Sequence, residues 1–313
     1  MIVIMTIAVT FPGQGSQKPG FLEPWLSESN HRETLERVSD AVGIDLIKHG
    51  TESDAETIRD TAVAQPLIVA AGILVWDALV ARFADQIAGV VVAGHSVGEI
   101  SAAYAAGVFD APTAVRFVAR RAELMAADAA ATPTGMAAVL GGEPDAVVAQ
   151  LEQLGAAAAN FNGGGQIVAA GSPEALAAVQ AEPPAGSRVI PLKVAGAFHT
   201  RYMDRAHETL AAEIEQFEVA DPQRPLLTNF DGARVDSGTQ FRQLLVDQVN
   251  RPVRWDRCME TLTELGVSGL VEAAPSGTLV GLAKRAMRGT PTVALASPDD
   301  LEAVATLLDP AAQ

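Results

Sequence analysis

The residues best suited to chemistry lie in one short stretch, where an apolar run meets the pattern Gly-x-Ser-x-Gly. Three valines at 90–92 lead into Gly94-His95-Ser96-Val97-Gly98, and the segment from Val97 to Ala106 has helical composition. This order predicts a strand, a tight turn and a helix, with the Ser96 hydroxyl exposed at the turn and helix-start amides facing it. Such a serine suits acyl transfer, because those amides can hold the developing oxyanion. The pattern also arises by chance, as an ordinary turn.

A second glycine-rich turn follows the first apolar strand. Residues 6–11 are apolar or β-branched, and Pro12-Gly13-Gln14-Gly15 comes directly after them. In open α/β sheets such turns gather at the carboxyl edge of the strands, so we expect Gln14 near Ser96. The alternative is a glycine loop in which Gln14 only satisfies backbone groups.

His199 is the histidine that we single out, because it lies on the loop where the chain is predicted to re-enter the large α/β domain. It lies in Gly196-Ala197-Phe198-His199-Thr200, one of five histidines in the chain. A neutral imidazole can take a hydroxyl proton near neutral pH. The alternative is a loop histidine that bonds only to the backbone.

Arg121 is the basic residue that the helical period separates from its neighbours. A helix is predicted from Asp110-Ala111-Pro112 to about Ala127, with Arg116 and Arg120 on its outer face. Arg121 falls toward the inner, apolar half, where a guanidinium needs an anion to offset its desolvation. We therefore interpret Arg121, and not Arg120, as a candidate carboxylate clamp.

The elements that must position these residues change character at Gly135. Beyond it, short strands and helices follow the order βαββαβ, which is typical of a ferredoxin-like unit. The expected strands cover 135–140, 157–162, 166–170 and 188–194, and the expected helices cover 144–154 and 173–180. We predict a small subdomain of residues 131–195, inserted into a large α/β subdomain of residues 1–130 and 196–313. A ligand cleft is expected between the two.

The large subdomain is expected to supply the remaining elements. Helices are predicted over 30–42, 67–84, 202–217, 241–248 and 255–265, strands over 225–229 and 267–272, and a last helix after Pro275-Ser276-Gly277-Thr278. The apolar run Leu67–Trp76 is bounded at ten residues by Pro66 and Asp77, short of the ~20 that span a membrane. Residues 1–11 lack the basic start of a signal peptide and predict a buried strand.

Composition limits the possible partners and the compartment. With 22 basic and 38 acidic side chains in 313 residues the formal net charge is −16, and 49% of residues are hydrophobic. The field of such a chain repels nucleic acid and anionic membranes, so neither is an expected partner. The single cysteine, Cys258, excludes an internal disulfide, fits a reducing compartment and is expected to be buried and inert. We expect a cytoplasmic monomer.

Taken together, five separated motifs resemble the malonyl-CoA:acyl carrier protein transacylase family over nearly the whole chain. They are Gly13-Gln14-Gly15-Ser16-Gln17, Gly94-His95-Ser96-Val97-Gly98-Glu99, Arg121, Ala197-Phe198-His199 and Gln248…Pro252-Val253-Arg254-Trp255. The resemblance implies an α/β-hydrolase-like large subdomain with an inserted ferredoxin-like small one. It also implies transfer of a malonyl group from malonyl-CoA to the phosphopantetheine thiol of an acyl carrier protein, for fatty-acid or polyketide elongation. No metal or redox cofactor is required.

Residue roles follow from the same resemblance. Ser96 attacks the thioester, His199 takes its proton, Gln14 and the Val97 amide hold the oxyanion, and a backbone carbonyl at Gln248 orients the histidine in place of an acid. The expected substrate-binding residues are Arg121, Phe198, Met125, Asn160, Asn162 and Arg188. In the sequence alone, Asn160-Phe161-Asn162 before three glycines could equally be a turn.

The carrier protein is acidic, as the resemblance implies, so a local basic surface is needed on this acidic chain. Lys284, Arg285 and Arg288 on the predicted last helix are the densest candidate, with Arg251 and Arg254 a looser group. These charges could also be an ordinary solvated surface.

Two other functions share part of the pattern. A serine hydrolase would finish the reaction with water, and an inactive carrier-binding module would use neither Ser96 nor His199.

Overall fold

The structure of the chain is a computed structural model that describes residues 6–27 and 29–309, without the side chain of Ser29. Residues 1–5 of the predicted first strand lie outside the described residues. Within them, eleven strands form two sheets. The strands are β1 Ile7–Phe11, β2 Val91–Gly94, β3 Gly135–Gly141, β4 Ala157–Gly163, β5 Gln166–Gly171, β6 Ser187–Leu192, β7 Leu226–Leu227, β8 Arg234–Val235, β9 Val253–Arg254, β10 Gly269–Glu272 and β11 Thr292–Ala294.

Twelve α-helices lie within the same residues. They are α1 Ser29–Val42, α2 Leu46–Thr51, α3 Thr61–Phe83, α4 Gly98–Ala106, α5 Ala111–Ala131, α6 Pro144–Gln153, α7 Pro173–Ala181, α8 Asp204–Ala212, α9 Gly238–Asp247, α10 Trp255–Glu264, α11 Thr278–Ala286 and α12 Leu301–Leu308. Short 3-10 helices cover Glu23–Ser27, Thr57–Arg59, Arg201–Met203, Ile214–Gln216, Gln248–Asn250 and Pro298–Asp300.

The first sheet brings three site-bearing loops to one edge. Its order is β11-β10-β1-β2-β7-β8, and every pair is parallel except β7 with β8. Phe11 of β1 is in register with Gly94 of β2. The loop after β1, the turn after β2 and the segment after β7 therefore leave the sheet on the same side, where ligands bind in open α/β sheets.

The second sheet contains the predicted βαββαβ order. Its strand order is β6-β3-β5-β4-β9, with antiparallel pairing from β6 to β4. Each of the six predicted elements is found within two residues of its expected bounds. Strand β9 comes from much later in the chain and pairs with β4 in parallel, Asn160 opposite Val253. The second sheet is thus completed by the segment that follows Gln248.

Helix α3 is longer than the sequence predicted. It begins at Thr61, because Asp60 caps the first turn by accepting a hydrogen bond from the amide of Ala62, and it runs through Pro66. The helix therefore starts six residues before the predicted residue 67, whereas its end at Phe83 lies within one residue of the predicted 84. Within the described residues, α3 is long and apolar enough by composition to cross a membrane, but 78% of its most apolar window is buried in the protein. It is packed as a central core helix.

Two other predicted helices differ from the structure. The helix expected over 202–217 is broken, because α8 ends at Ala212 and 3-10 turns occupy both flanks, as is common at helix termini. The helix after Pro275 is not the last, since β11 and α12 follow it. It also ends at Ala286, so Arg288 lies in an exposed turn beyond it and is not one helical turn from Lys284.

Candidate active site

The serine turn has the backbone conformation that its glycines predicted. Ser96 has a φ of 53°, in the left-handed region that costs a non-glycine residue about 1–3 kcal/mol. A Cβ at Gly94 would lie 2.0 Å from the carbonyl carbon of Gly98, and one at Gly98 would lie 2.1 Å from the carbonyl oxygen of Phe11. Only glycine fits at either position, and the bend they permit directs Ser96 into the cleft.

His199 lies in hydrogen-bond contact with the serine. Its Nε2 is 2.7 Å from the Ser96 Oγ, and its Nδ1 is 2.8 Å from the carbonyl oxygen of Gln248. A carbonyl oxygen can only accept, so Nδ1 carries the proton and Nε2 is free to accept one from Ser96. His199 also has a positive φ, 61°. This is the backbone-carbonyl orientation that the resemblance implies.

Burial strongly affects the proton affinity of the histidine. Desolvation, followed by the positive charge of Arg121, lowers the pKa of His199 to about 3, while the Gln248 carbonyl opposes the shift. His199 is therefore neutral near pH 7, the state in which it accepts a proton. Among the described residues, no carboxylate forms a hydrogen bond with His199.

Arg121 is buried behind the serine and histidine. It is 1% exposed, its Nη1 donates to the Oε1 of Gln65 at 2.5 Å, and its Nη2 donates to the Oε1 of Gln248 at 2.8 Å. Burial lowers the pKa of Arg121 to about 10, and the nearby Glu99 opposes this. Arg120 instead pairs with Glu213 and Glu123. The helical period thus separated the two arginines correctly.

A cleft of about 240 Å³ opens over Ser96 and is lined by both sheets. Of the predicted site residues, it is bordered by Gln14, Ser96, Val97, Met125, Asn160, Asn162, Phe198 and His199. Arg121 and Gln248 are buried and do not border it. Asn160 and Asn162 are on β4 and not in a turn, and the Oδ1 of Asn162 lies 2.8 Å from the Nε2 of His95.

Arg188 is not part of this cleft. It is exposed on the edge strand β6, whereas Leu192 at the other end of that strand borders the cleft. Four strand residues span about 13 Å, so Arg188 lies about that far along β6 from the strand residue that borders the cleft. The sequence could not show this, because the prediction depended on motif position alone.

Gln14 lies beside Ser96, as the parallel register of β1 and β2 requires. Its side-chain Nε2 donates to the carbonyl oxygen of Arg59 at 3.2 Å, so the amide group does satisfy a backbone acceptor. Within the described residues, the backbone N–H groups of Gln14 and Val97 donate to no protein acceptor. Both amides are therefore available to an oxygen atom in the cleft.

Three buried polar residues support the site but were not singled out from the sequence. Asn229, after β7, accepts from the Ser96 N–H at 2.8 Å and donates to the Gly94 carbonyl at 2.7 Å. Glu99 accepts from the Asn229 N–H at 2.6 Å and from the side chain of Gln248. Gln65 holds Arg121 from α3. Gln65 lies before the start of the helix predicted over 67–84, so no pattern in the sequence marked it.

The cleft reaches the protein surface along α11. Thr278, Leu279 and Leu282 border it, and a buried carboxylate, Glu272, holds the helix start by accepting the N–H of Leu279 and neighbouring amides. Lys284 and Arg285 are exposed at the other end of α11. Arg285 donates to Gln166 at 3.1 Å, and neither residue has an acidic partner among the described residues.

A strained serine on a parallel sheet, a histidine bonded to it and a buried arginine without an acidic partner are typical of serine-dependent acyl transfer. Residues 9–307 match the family model of the acyl transferase domain. The chain belongs to the acyl transferase family.

Similarity to individual proteins is also extensive. Malonyl CoA-acyl carrier protein transacylase of Mycobacterium tuberculosis is 48% identical over 301 residues, which cover 96% of this chain and all of the relative. The crystal structure of MCAT from Mycobacterium tuberculosis superposes with a TM-score of 0.92 at 47% identity, covering 97% of this chain and 100% of that one. A malonyl-transacylase in complex with its type II PKS acyl-carrier protein has a TM-score of 0.86 at 31% identity, with 95% and 98% covered.

Proposed function

We propose that this protein transfers the malonyl group from malonyl-CoA to the phosphopantetheine thiol of an acyl carrier protein, through an acyl-enzyme on Ser96. The observation that carries this proposal is the position of Arg121. A buried guanidinium behind a serine–histidine pair, with amide and not carboxylate partners, suits an acyl group that carries its own carboxylate. The product supplies chain elongation in fatty-acid or polyketide synthesis, and no metal or redox cofactor is required.

In the first half-reaction, His199 Nε2 takes the Ser96 Oγ proton as Oγ bonds to the thioester carbon. The carbonyl oxygen becomes an oxyanion, which the backbone amides of Gln14 and Val97 are placed to hold. The carbon–sulfur bond then breaks, and the proton on His199 passes to the departing CoA sulfur. The carrier's thiol repeats these steps in reverse order and restores Ser96.

The acyl group lies in the inner part of the cleft. Arg121 binds the malonyl carboxylate while Gln65 and Gln248 hold its guanidinium in place. Met125 and Phe198 form apolar walls, and Phe198 is 7% exposed. The pantetheine arm passes Asn160 and Asn162. Arg188, which is outside the cleft, has no role in this proposal.

The carrier protein docks on the exposed end of α11. Lys284 and Arg285 present positive charge beside the cleft, and Arg288 adds to it from the following turn. Opposite charges steer association and act mainly on its rate. Arg251 and Arg254 contribute less, because both already pair with acidic neighbours, Asp247 and Asp256.

The architecture in this proposal is an α/β-hydrolase-like large subdomain, residues 1–130 and 196–313, with a ferredoxin-like small subdomain, residues 131–195. The 4-1-3-2 order of the four strands β3 to β6 supports the second assignment. We infer a monomer that works in the cytoplasm.

The test is transfer of radiolabelled malonyl from malonyl-CoA to a phosphopantetheinylated carrier protein. We expect label on the carrier and little free malonate. Free malonate as the main product would identify a serine hydrolase. Absence of both products would identify a binding module.

A further inference from the structure

Gln248 connects the arginine, the histidine and the serine. Its side-chain Oε1 accepts from Arg121 Nη2 at 2.8 Å, and its backbone carbonyl accepts from His199 Nδ1 at 2.8 Å. Its Nε2 donates to the Ser96 carbonyl oxygen at 3.1 Å. One residue therefore holds both the charge that would bind a carboxylate and the base that would activate the nucleophile.

The protein itself offers little compensation for the positive charge of Arg121. Among the described residues it forms no ion pair, and its partners Gln65 and Gln248 are neutral. Glu99 is the carboxyl group on the far side of the Gln248 amide, and burial raises its pKa to about 8. At neutral pH Glu99 is therefore largely protonated and offers Arg121 little negative charge.

His199 is the group that this uncompensated charge affects. Arg121, which is linked to it through Gln248, and His95 both oppose a positive charge on its ring, while Arg201 two residues later is exposed. Burial also lowers the pKa of His95, which stays neutral. As Ser96 attacks, His199 becomes an imidazolium in a buried site that already contains a guanidinium. In the low local dielectric this repulsion raises the barrier.

We propose that the carboxylate of the substrate activates the general base: bound against Arg121, it neutralises the guanidinium and so strengthens His199 as a proton acceptor. This inference rests on the proposed function and makes Arg121 act on the rate of acylation as well as on binding. An acetyl group undergoes the same bond changes at Ser96. It leaves the charge of Arg121 uncompensated, so Ser96 is acetylated more slowly than it is malonylated, even at a saturating concentration of acetyl-CoA.

Supplying the thioester and the carboxylate on two separate molecules tests this proposal directly. Acetyl-CoA supplies the thioester, and formate supplies the missing carboxylate, with formamide as a neutral control of similar size at constant ionic strength. Formation of acetyl-Ser96 is followed by rapid quenching and mass spectrometry. We expect formate to accelerate acetylation saturably, on the order of tenfold, a fraction of the ~10²–10⁴ that a general base contributes. Formamide should not.

Two arginine variants localise the effect. Arg121→Met removes the charge, so its acetylation without formate should be faster than in the wild type and should not respond to formate. Arg120→Met removes the neighbouring charge, which is paired with Glu213 and Glu123 on the outer face of α5. It should respond to formate as the wild type does.

A pH profile of the unaltered protein gives a second measurement. His199 must be neutral, so acylation by malonyl-CoA is lost as pH falls through the pKa of His199. The pH dependence of the maximal acylation rate reports the pKa of His199 in the complex with malonyl-CoA. The pH dependence of the maximal rate divided by the half-saturating concentration reports its pKa in the free enzyme. Because the bound carboxylate should raise the pKa of His199, we expect the acid limb of the maximal rate to lie at a higher pH than the acid limb of that ratio.

Absence of formate acceleration, equal acceleration by formamide, or coincident acid limbs would overturn the inference. Malonyl-CoA is run on the same preparation to separate the two claims. If malonyl-Ser96 forms but formate has no effect, only the inference fails. If malonyl-Ser96 does not form, the proposed function fails first.

Discussion

Arg120 and Arg121 are adjacent in sequence and have opposite environments. The helical period alone predicted this, because the apolar residues of α5 fix which side faces the core. Asn229 and Gln65 could not be found in the same way. Their partners are 133 and 56 residues away, so their contacts depend on the order of strands and the packing of α3 and not on local pattern. Local periodicity identified the buried arginine, and the tertiary structure supplied its hydrogen-bond partners.

Replacing His199 tests the base. His199→Ala should slow acylation of Ser96 by malonyl-CoA by about 10²–10⁴, the usual contribution of a general base. The loss should be in rate, because the imidazole contacts Ser96 and Gln248 and does not touch the carboxylate clamp directly. Rapid-quench measurement of the acyl-enzyme gives the rate. An unchanged rate would remove His199 from the mechanism.

Phe198 should restrict the substituent on the α-carbon. It borders the cleft next to His199 and is buried, so an added methyl group would meet its ring. Phe198→Ser should raise kcat/KM for methylmalonyl-CoA relative to malonyl-CoA, by more than the ~10–200-fold that one lost methylene contact explains if exclusion is steric. Equal kcat/KM values for both substrates in the unaltered protein would contradict this role.

At the scale of elements, strands β3 to β6 were predictable from the sequence, whereas β8 of the first sheet and β9 of the second were not. Strands β3 to β6 are bounded by glycine, proline and capping residues, such as Ser172 before Pro173, and these are local signals. Strands β8 and β9 contain two residues each. Such pairs form because neighbouring strands hold them, so no periodicity could mark their bounds.

Helix α4 contains Glu99, a buried carboxyl group that should make the stability of the protein depend on pH. Burial raises the pKa of Glu99 from 4.5 to about 8, so between these values the folded protein keeps a proton that the unfolded chain loses. Stability attributable to Glu99 is present below about pH 4.5 and is lost as pH rises toward 8. Glu99→Gln removes the titratable group, so the variant should not lose this stability as pH rises. Its melting temperature relative to the wild type should increase from pH 5 to pH 8.5, and parallel curves would contradict the assignment.

At the scale of the whole molecule, charge conflicts with the proposed partner. The chain has a formal net charge of −16, and an acidic carrier would be repelled over the ~8–10 Å within which salt does not screen. Arg285 donates to Gln166, which borders the cleft, and Lys284 precedes it on α11; neither has an acidic partner among the described residues. The repulsion between two acidic proteins could be predicted from composition alone. That α11 borders the cleft could be learned only from the fold.

Reversing this charge should affect only the second half-reaction. Lys284→Glu with Arg285→Glu should raise KM for the carrier protein several-fold and flatten its salt dependence, while acylation by malonyl-CoA stays nearly unchanged. Lys48→Glu with Arg234→Glu makes the same change in net charge at exposed residues that do not border the cleft. If this control raises KM equally, or if both half-reactions of the α11 variant fall together, docking on α11 is wrong.

The central claim is that Ser96 carries the malonyl group between the two thiols. Mass spectrometry of the protein mixed with malonyl-CoA measures this most directly. We predict the mass of one malonyl group on the peptide that contains Ser96, discharged when a phosphopantetheinylated carrier protein is added and absent from a folded Ser96→Ala variant. A malonyl adduct that persists in Ser96→Ala, or an adduct that water but not the carrier removes, would contradict the account.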